Sequence, residues 1–446
     1  MSKRIAVVGA GISGLVCAYE LQKAGNEVHV FEKESSVGGR MATRMKDGLS
    51  FDIGANFFVR NYQNVPKYLK ELGFEKSWEP MKAGKMFGVR DGQLHLLSLS
   101  PSDILLHTDQ VSLMSRLWLL WMLWKEAKKG KKLNFYNLSE STEYDSESAY
   151  DHTVGAAGKE VADYLIDPFT STYQFHRSDE ISYASMLSLL GEMINHEEEF
   201  EMYHSSNEEM STLPNALSKK LPVKTSHPIQ KITALKDHVQ VDEENYDAVV
   251  LACTANVSEQ IYQNPTERQL EFLKNVQYAS TVMIAYRVPV DLLGDMSLTM
   301  VPYVEGGKIA EYSQEKMKGS NLIHEGKTLM LVGLHEEFAN EIIHQTDEEI
   351  YAIVKHELEK VCPLIKGNLH ALENYDLQRW PQAMPKFAPG YLKKVKDFLE
   401  NGQGDQKVYF CGDYLNSPWT EGSIGCGARV AEKVENEIIT LQADKI

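Results

Sequence analysis

A chain that opens with an apolar strand, a glycine-rich turn and an amphipathic helix has few folds open to it. Ile5 to Val8 read as a short buried strand, and Gly9-Ala10-Gly11-Ile12-Ser13-Gly14 follows at once. The pattern predicts a helix from Ile12 to Ala24 and a second strand, Val28 to Phe31, closed by Glu32. In that order they make a βαβ unit of the kind that binds dinucleotides on a parallel sheet. Gly9 permits the tight turn, Gly11 lets backbone approach a pyrophosphate, and Gly14 allows close helix-to-strand packing. Glu32 stands where a carboxylate accepts from ribose hydroxyls and repels a 2′-phosphate.

Composition narrows the rest. At roughly 150 residues per domain, 446 residues suggest two or three domains. A hydrophobic share of 43% with 24% charged residues is ordinary for a globular protein. Asp plus Glu outnumber Lys plus Arg by 63 to 46, for a net charge of −17, which argues against a nucleic-acid partner. On so acidic a chain, an anionic pyrophosphate depends on the local positive end of a helix. Cys17, Cys253, Cys362, Cys411 and Cys426 lie far apart with no CxxC pair, so neither a disulfide framework nor a zinc site is indicated. The 14 histidines are scattered, and the acidic stretches 140–147 and 197–201 lack the alternation of a calcium loop. The N-terminus has no secretory pattern, and no apolar run reaches about 18 residues. The expected location is cytoplasmic.

Past the βαβ unit, Glu34-Ser35-Ser36-Val37-Gly38-Gly39-Arg40 sets two glycines and an arginine where they can reach back to a pyrophosphate. Phe51-Asp52-Ile53-Gly54-Ala55-Asn56 reads as a strand ending in small residues, suited to backbone lying against a flat ring. Near the other terminus stand Val408 to Asp413 and Trp419 to Gly425. These two blocks resemble the N- and C-terminal signatures of the flavin-dependent amine oxidase superfamily, which includes monoamine oxidases, protoporphyrinogen oxidases and carotenoid-type desaturases. The resemblance implies noncovalent FAD. It implies cofactor-binding roles for Gly9, Gly11, Ile12, Ser13, Gly14, Glu32, Lys33, Gly39, Arg40, Gly54, Ala55 and Asn56. It implies the same for Ile229, Gly412, Asp413, Thr420, Ser423 and Ile424.

Between the two signatures the chain most resembles protoporphyrinogen oxidases, in Leu165 to Phe169, Ser211 to Leu217, Pro228 to Ile232, Tyr246 to Ala252 and Trp380 to Pro385. Many amine oxidases place a lysine beside the flavin, but Ser280 to Tyr286 contains none, a departure that counts against a monoamine oxidase. The resemblance thus implies an oxidoreductase that dehydrogenates a sizeable, largely hydrophobic small molecule by hydride transfer to FAD. An amine oxidase, a carotenoid-type desaturase and a reduced-flavin isomerase remain as alternatives. No catalytic residue is legible, although Asn56 and Phe57 are expected on the substrate side of the flavin.

The expected fold is α/β: a discontinuous Rossmann-like FAD-binding domain plus an α+β substrate domain with a helical part. Residues 1–75, 205–270 and 375–446 are assigned to the first. Residues 76–204 and 271–374 go to the second, with 111–164 as its helical part. Tyr278 to Val288 and Lys327 to His335 read as strands of a sheet, and 100–200 reads mostly helical. Leu113 to Trp124 holds three tryptophans, and five lysines follow between Lys125 and Lys132. That composition suits either a core helix of the substrate domain or an element touching a membrane surface. The sequence leaves the oligomeric state open.

Overall fold

The computed structural model describes residues 2–443 except 83, 99–100, 131–132, 135 and 195–200. Part of the acidic stretch 197–201 and of the lysine run therefore falls outside the described residues. The glycine-rich unit forms as its pattern predicts, with strand Arg4–Val8, helix Ile12–Lys23 and strand Glu27–Phe31. These belong to a five-stranded parallel sheet ordered Val223–Lys224, Glu27–Phe31, Arg4–Val8, Ala248–Leu251, Val408–Phe410. Val7 pairs with Val30 on one side and Val250 on the other. Ala248–Leu251 is buried along its whole length, as a continuous apolar run in a covered parallel sheet must be. The long helix Thr420–Ala443 packs against Ile12–Lys23. A Cβ on Gly427 would sit 2.4 Å from the Ser13 carbonyl oxygen, so the glycine is what lets the two helices meet.

A second sheet has seven strands, ordered Glu373–Pro385, Tyr278–Pro289, Lys327–Leu334, Ile309–Gln314, Met296–Met300, Lys85–Arg90, Gln93–Leu97. Its pleat sorts side chains onto two faces. Val282, Ile284, Tyr286 and Tyr312 point into a core shared with Ile350, Val354 and Leu358 of helix Asp347–Val361. Met283, Ala285, Leu329 and Leu331 turn the other way, against Phe51. Strands Lys85–Arg90 and Gln93–Leu97 lie in a stretch with no strand reading of its own.

A third core gathers helices Leu113–Gly130, Ala149–Ala157 and Tyr183–Ile194 around Leu119, Met122, Met186 and Leu187. The helical part thus runs past residue 164, to Ile194. The strand expected over Phe51 to Asn56 is observed as Leu49–Asp52, and Gly54 and Ala55 lie beyond its end.

Candidate cofactor and substrate site

One cavity of about 700 Å³ opens at the C-terminal end of Arg4–Val8 and continues to the inner face of the seven-stranded sheet. Of the expected cofactor residues, Gly9, Gly11, Ile12, Ser13, Glu32, Lys33, Gly39, Arg40, Gly54, Ala55, Asn56, Ile229, Gly412, Asp413, Thr420 and Ser423 line it. Gly14 and Ile424 do not. Gly14 lies under the turn, where a Cβ would be 2.1 Å from the Gly9 carbonyl oxygen, and Ile424 is buried in the core.

The three glycines of the turn differ physically. Gly9 has φ of +109°, and a Cβ there would approach the Ala252 carbonyl oxygen to 2.7 Å. Gly11 caps the helix with no side-chain bond, and its missing side chain faces space with no atom within 4 Å. That gap, beside the free N–H groups of a helix start, is the shape and charge a phosphate needs. Glu32 accepts the Ala10 N–H at 2.8 Å and the Glu34 N–H at 2.9 Å. Each carboxylate oxygen keeps further acceptor capacity for a ribose hydroxyl. These residues fit the adenosine and pyrophosphate part of FAD.

At the other end, Arg40 donates to Asp413 through both ends of its fork, at 2.6 and 3.1 Å, and to the Ala383 carbonyl at 3.0 Å. The guanidinium expected to reach a pyrophosphate is thus engaged by the acid of the C-terminal signature. The pair joins the two sequence signatures directly. The Ala55 N–H donates to the Arg40 carbonyl, and a Cβ on Gly54 would sit 2.3 Å from that oxygen. The first turn of Thr420–Ala443 contributes Thr420 and Ser423, and with them the positive end of its dipole.

The far chamber is largely apolar and aromatic, with Phe57, Phe169, Tyr173, Phe175, Leu189 and Met202 in its wall. Phe169 and Tyr173 come from helix Asp167–Gln174, which follows a π-turn at Ala162–Ile166. Such turns recur at functional sites. Asp167 anchors this segment, accepting from Arg177 at 3.0 Å and from the Ser178 N–H at 2.9 Å. Phe175 ends the helix at φ +62°, a backbone region uncommon for a bulky residue.

Sequence reasoning missed the chamber's polar groups. Met283 occupies the wall of the stretch that lacks a lysine, yet a lysine is present from elsewhere. Lys318 is buried and lines the cavity, its ammonium 2.6 Å from both Asp52 and Glu315 and bonded to the Asn56 side chain. Thr43 donates to Asp52 at 2.6 Å. Burial raises the Asp52 carboxyl and pushes Glu315 up to about 7, against the pull of Lys318. Glu311 is different. It projects from the inner face of Ile309–Gln314 over Gly333, where a Cβ would lie 2.9 Å from its Cγ. Among the described residues no cation pairs with it, and burial pushes its carboxyl up to about 8, which favours the protonated form at neutral pH. The only legible signal is an acidic residue flanked by Ala310 and Tyr312, apolar positions on the opposite face of its strand.

Comparison with known proteins accords with this arrangement. The profile of the family described as flavin containing amine oxidoreductase matches residues 12–435. The mitochondrial protoporphyrinogen oxidase of Nicotiana tabacum is 36% identical over 171 residues, 38% of this chain and 32% of that enzyme. The matched stretch therefore spans about a third of that relative's length. A 4,4'-diapophytoene desaturase of Staphylococcus haemolyticus is 54% identical over 73 residues, 16% of this chain and 13% of that one. A crystal structure from Exiguobacterium sp. 255-15, of a protein assigned as protoporphyrinogen oxidase, superposes with a TM-score of 0.79. It covers 98% of this chain and 99% of that one at 18% identity, a likeness of fold. With the family profile spanning nearly the whole sequence and both of its signatures meeting in one cavity, the chain belongs to the flavin-containing amine oxidoreductases and is an FAD-dependent enzyme.

Proposed function

We propose that the protein dehydrogenates a sizeable, largely hydrophobic small molecule in the manner of protoporphyrinogen oxidases. The observation that carries this reading is the aromatic chamber, which continues without a break from the glycine turn. Burying apolar substrate there contributes about 25 cal/mol per Å² removed from water. The identity to the tobacco enzyme supports the same substrate class.

In this reading Gly11 and the start of Ile12–Lys23 hold the pyrophosphate, Glu32 the ribose, and Asp413 the ribityl chain. The cofactor domain is drawn from residues 1–75, 205–270 and 375–446. Bound flavin supplies a two-electron acceptor for hydride from a C–H bond. Phe57, Phe169 and Tyr173 orient the substrate and exclude water. Lys318, fixed by Asp52 and Glu315, holds Asn56 in place, and Glu311 offers a neutral O–H donor to the substrate. A second reading, a carotenoid-type desaturase, draws on the short match to the staphylococcal desaturase.

Anaerobic stopped-flow flavin reduction tests both readings, using a porphyrinogen, a linear polyene and a small primary amine in parallel. The porphyrinogen is expected to bleach the flavin fastest and the amine slowest. Fastest reduction by the polyene moves the assignment to a desaturase, and reduction by the amine alone overturns both readings.

A further inference from the structure

The helix Leu113–Gly130 is built inside out. Its inward face carries Ser115, Leu119, Met122 and Glu126, and Glu126 is only 1% exposed. That carboxylate accepts from the Tyr183 hydroxyl and from Lys129 at 2.8 Å, while Arg116 is tied to the carbonyls of Val111 and Leu105. These polar groups thus find their partners within the protein. The outward face carries Leu113, Met114, Leu117, Trp118, Trp121 and Trp124, each 45% to 67% exposed. At 3.6 residues per turn these six fall within an arc of about 140° and run about 16 Å along the helix. Leu106 of the preceding helix Pro101–His107 is exposed as well. Together they are seven of the twelve large apolar side chains exposed among the described residues. A contiguous apolar patch of this kind marks a surface that meets something other than water.

Two lysines indicate what it meets. Lys125 holds its ammonium 5.2 Å from the Trp121 ring, and Lys128 holds its own 5.6 Å from the Trp124 ring. Both lie at the C-terminal end of the same arc. A local basic end on a chain of net charge −17 selects an anionic neighbour. Tryptophan rings with adjacent ammonium groups match the headgroup layer of a bilayer, where the ring is half immersed and the charge meets phosphate. No described helix is long and apolar enough to cross a membrane, so this one would lie in the plane of the surface.

We propose that the outward face of Leu113–Gly130 seats the protein on an anionic phospholipid bilayer. Trp118, Trp121, Trp124 and the neighbouring Leu113, Met114 and Leu117 enter the boundary between headgroups and acyl chains. Lys125 and Lys128 meet the phosphates.

The test uses the FAD-loaded full chain and vesicles of phosphatidylcholine with or without phosphatidylglycerol. Flotation with the anionic vesicles at low salt is expected, falling by roughly tenfold or more in a Lys125→Ala, Lys128→Ala variant. A Trp118→Ser, Trp121→Ser, Trp124→Ser variant should lose flotation and keep its flavin absorbance. Should that variant fail to fold, Trp124→Ser alone and quenching of the native tryptophan fluorescence by brominated lipid decide the matter. The proposal is overturned by any of three results: wild type that stays off anionic vesicles, flotation unchanged in the tryptophan variants, or no quenching. Light scattering that shows a dimer broken by those variants, without vesicle binding, would assign the stripe to a second copy instead.

Discussion

Single side chains divide the site into what a sequence displays and what it hides. Gly9, Gly11 and Glu32 announce themselves because their chemistry is local: each acts within one turn and one strand end. Glu311 and Lys318 do not. An acid between apolar residues reads as a solvent-facing position until the sheet shows which face is covered. Lys318 follows a short turn of polar sequence beyond Gln314, where nothing local marks it as buried. Glu311 carries a testable consequence. Its carboxyl titrates near 8 in the folded chain and in the ordinary carboxylate range when unfolded. A carboxyl with a raised folded pKa lends stability that is complete at low pH and lost as pH rises through the folded value. Glu311→Gln removes that dependence without changing shape. Relative to wild type, it should have a higher unfolding midpoint at pH 8 than at pH 5. An equal offset at both pH values would mean that Glu311 is ionised in the fold.

At the level of elements, the βαβ unit and the strands Tyr278–Pro289 and Lys327–Leu334 were legible because their apolar runs are long and their ends punctuated. Lys85–Arg90 and Gln93–Leu97 escaped, since both are short and half-exposed and the second forms the sheet edge. The helices of 100–200 were legible as such, but not how they pack. Tyr183–Ile194 packs close to the tryptophan helix through Gly130 and Gly191, a close approach that depends on two glycines distant in sequence. The glycine turn itself separates folding from binding. Gly11→Ala meets no atom and keeps an allowed φ of −67°, so the cofactor-free chain should change by no more than about 0.5 kcal/mol. Its methyl group would occupy the phosphate space, so FAD affinity should fall at least about tenfold, a loss of about 1.4 kcal/mol. Gly14→Ala drives a methyl into the Gly9 carbonyl and should cost about 1–3 kcal/mol of stability before any cofactor is added. Thermal unfolding of both apo variants, followed by FAD titration, distinguishes the two roles. Equal destabilisation of the two would remove the distinction.

For the molecule as a whole, the cofactor cavity is a product of closure. Strands from near both ends of the sequence lie in one sheet, and Arg40 meets Asp413 across 373 positions. Neither signature makes a site alone, so FAD should bind the folded chain and have no counterpart site in the unfolded one. Free ligand at a hundred times its dissociation constant then stabilises by about 2.7 kcal/mol. Glu32→Ala removes charge-assisted bonds worth about 1.5–3 kcal/mol, enough to weaken FAD binding by one to two orders of magnitude. At the same FAD concentration, the stabilisation should fall to about 0.4–1.4 kcal/mol. The apo variant also loses acceptors for the Ala10 and Glu34 N–H groups, so its starting midpoint should fall as well. The informative quantity is therefore the FAD-induced shift in unfolding midpoint, measured for each chain against its own apo form. Wild type should show a clear rise that grows with FAD concentration, and Glu32→Ala at most about half of it until FAD is raised roughly ten- to a hundredfold. An undiminished shift in the variant would place the cofactor's ribose away from Glu32 and undo the assignment of that end of the cavity.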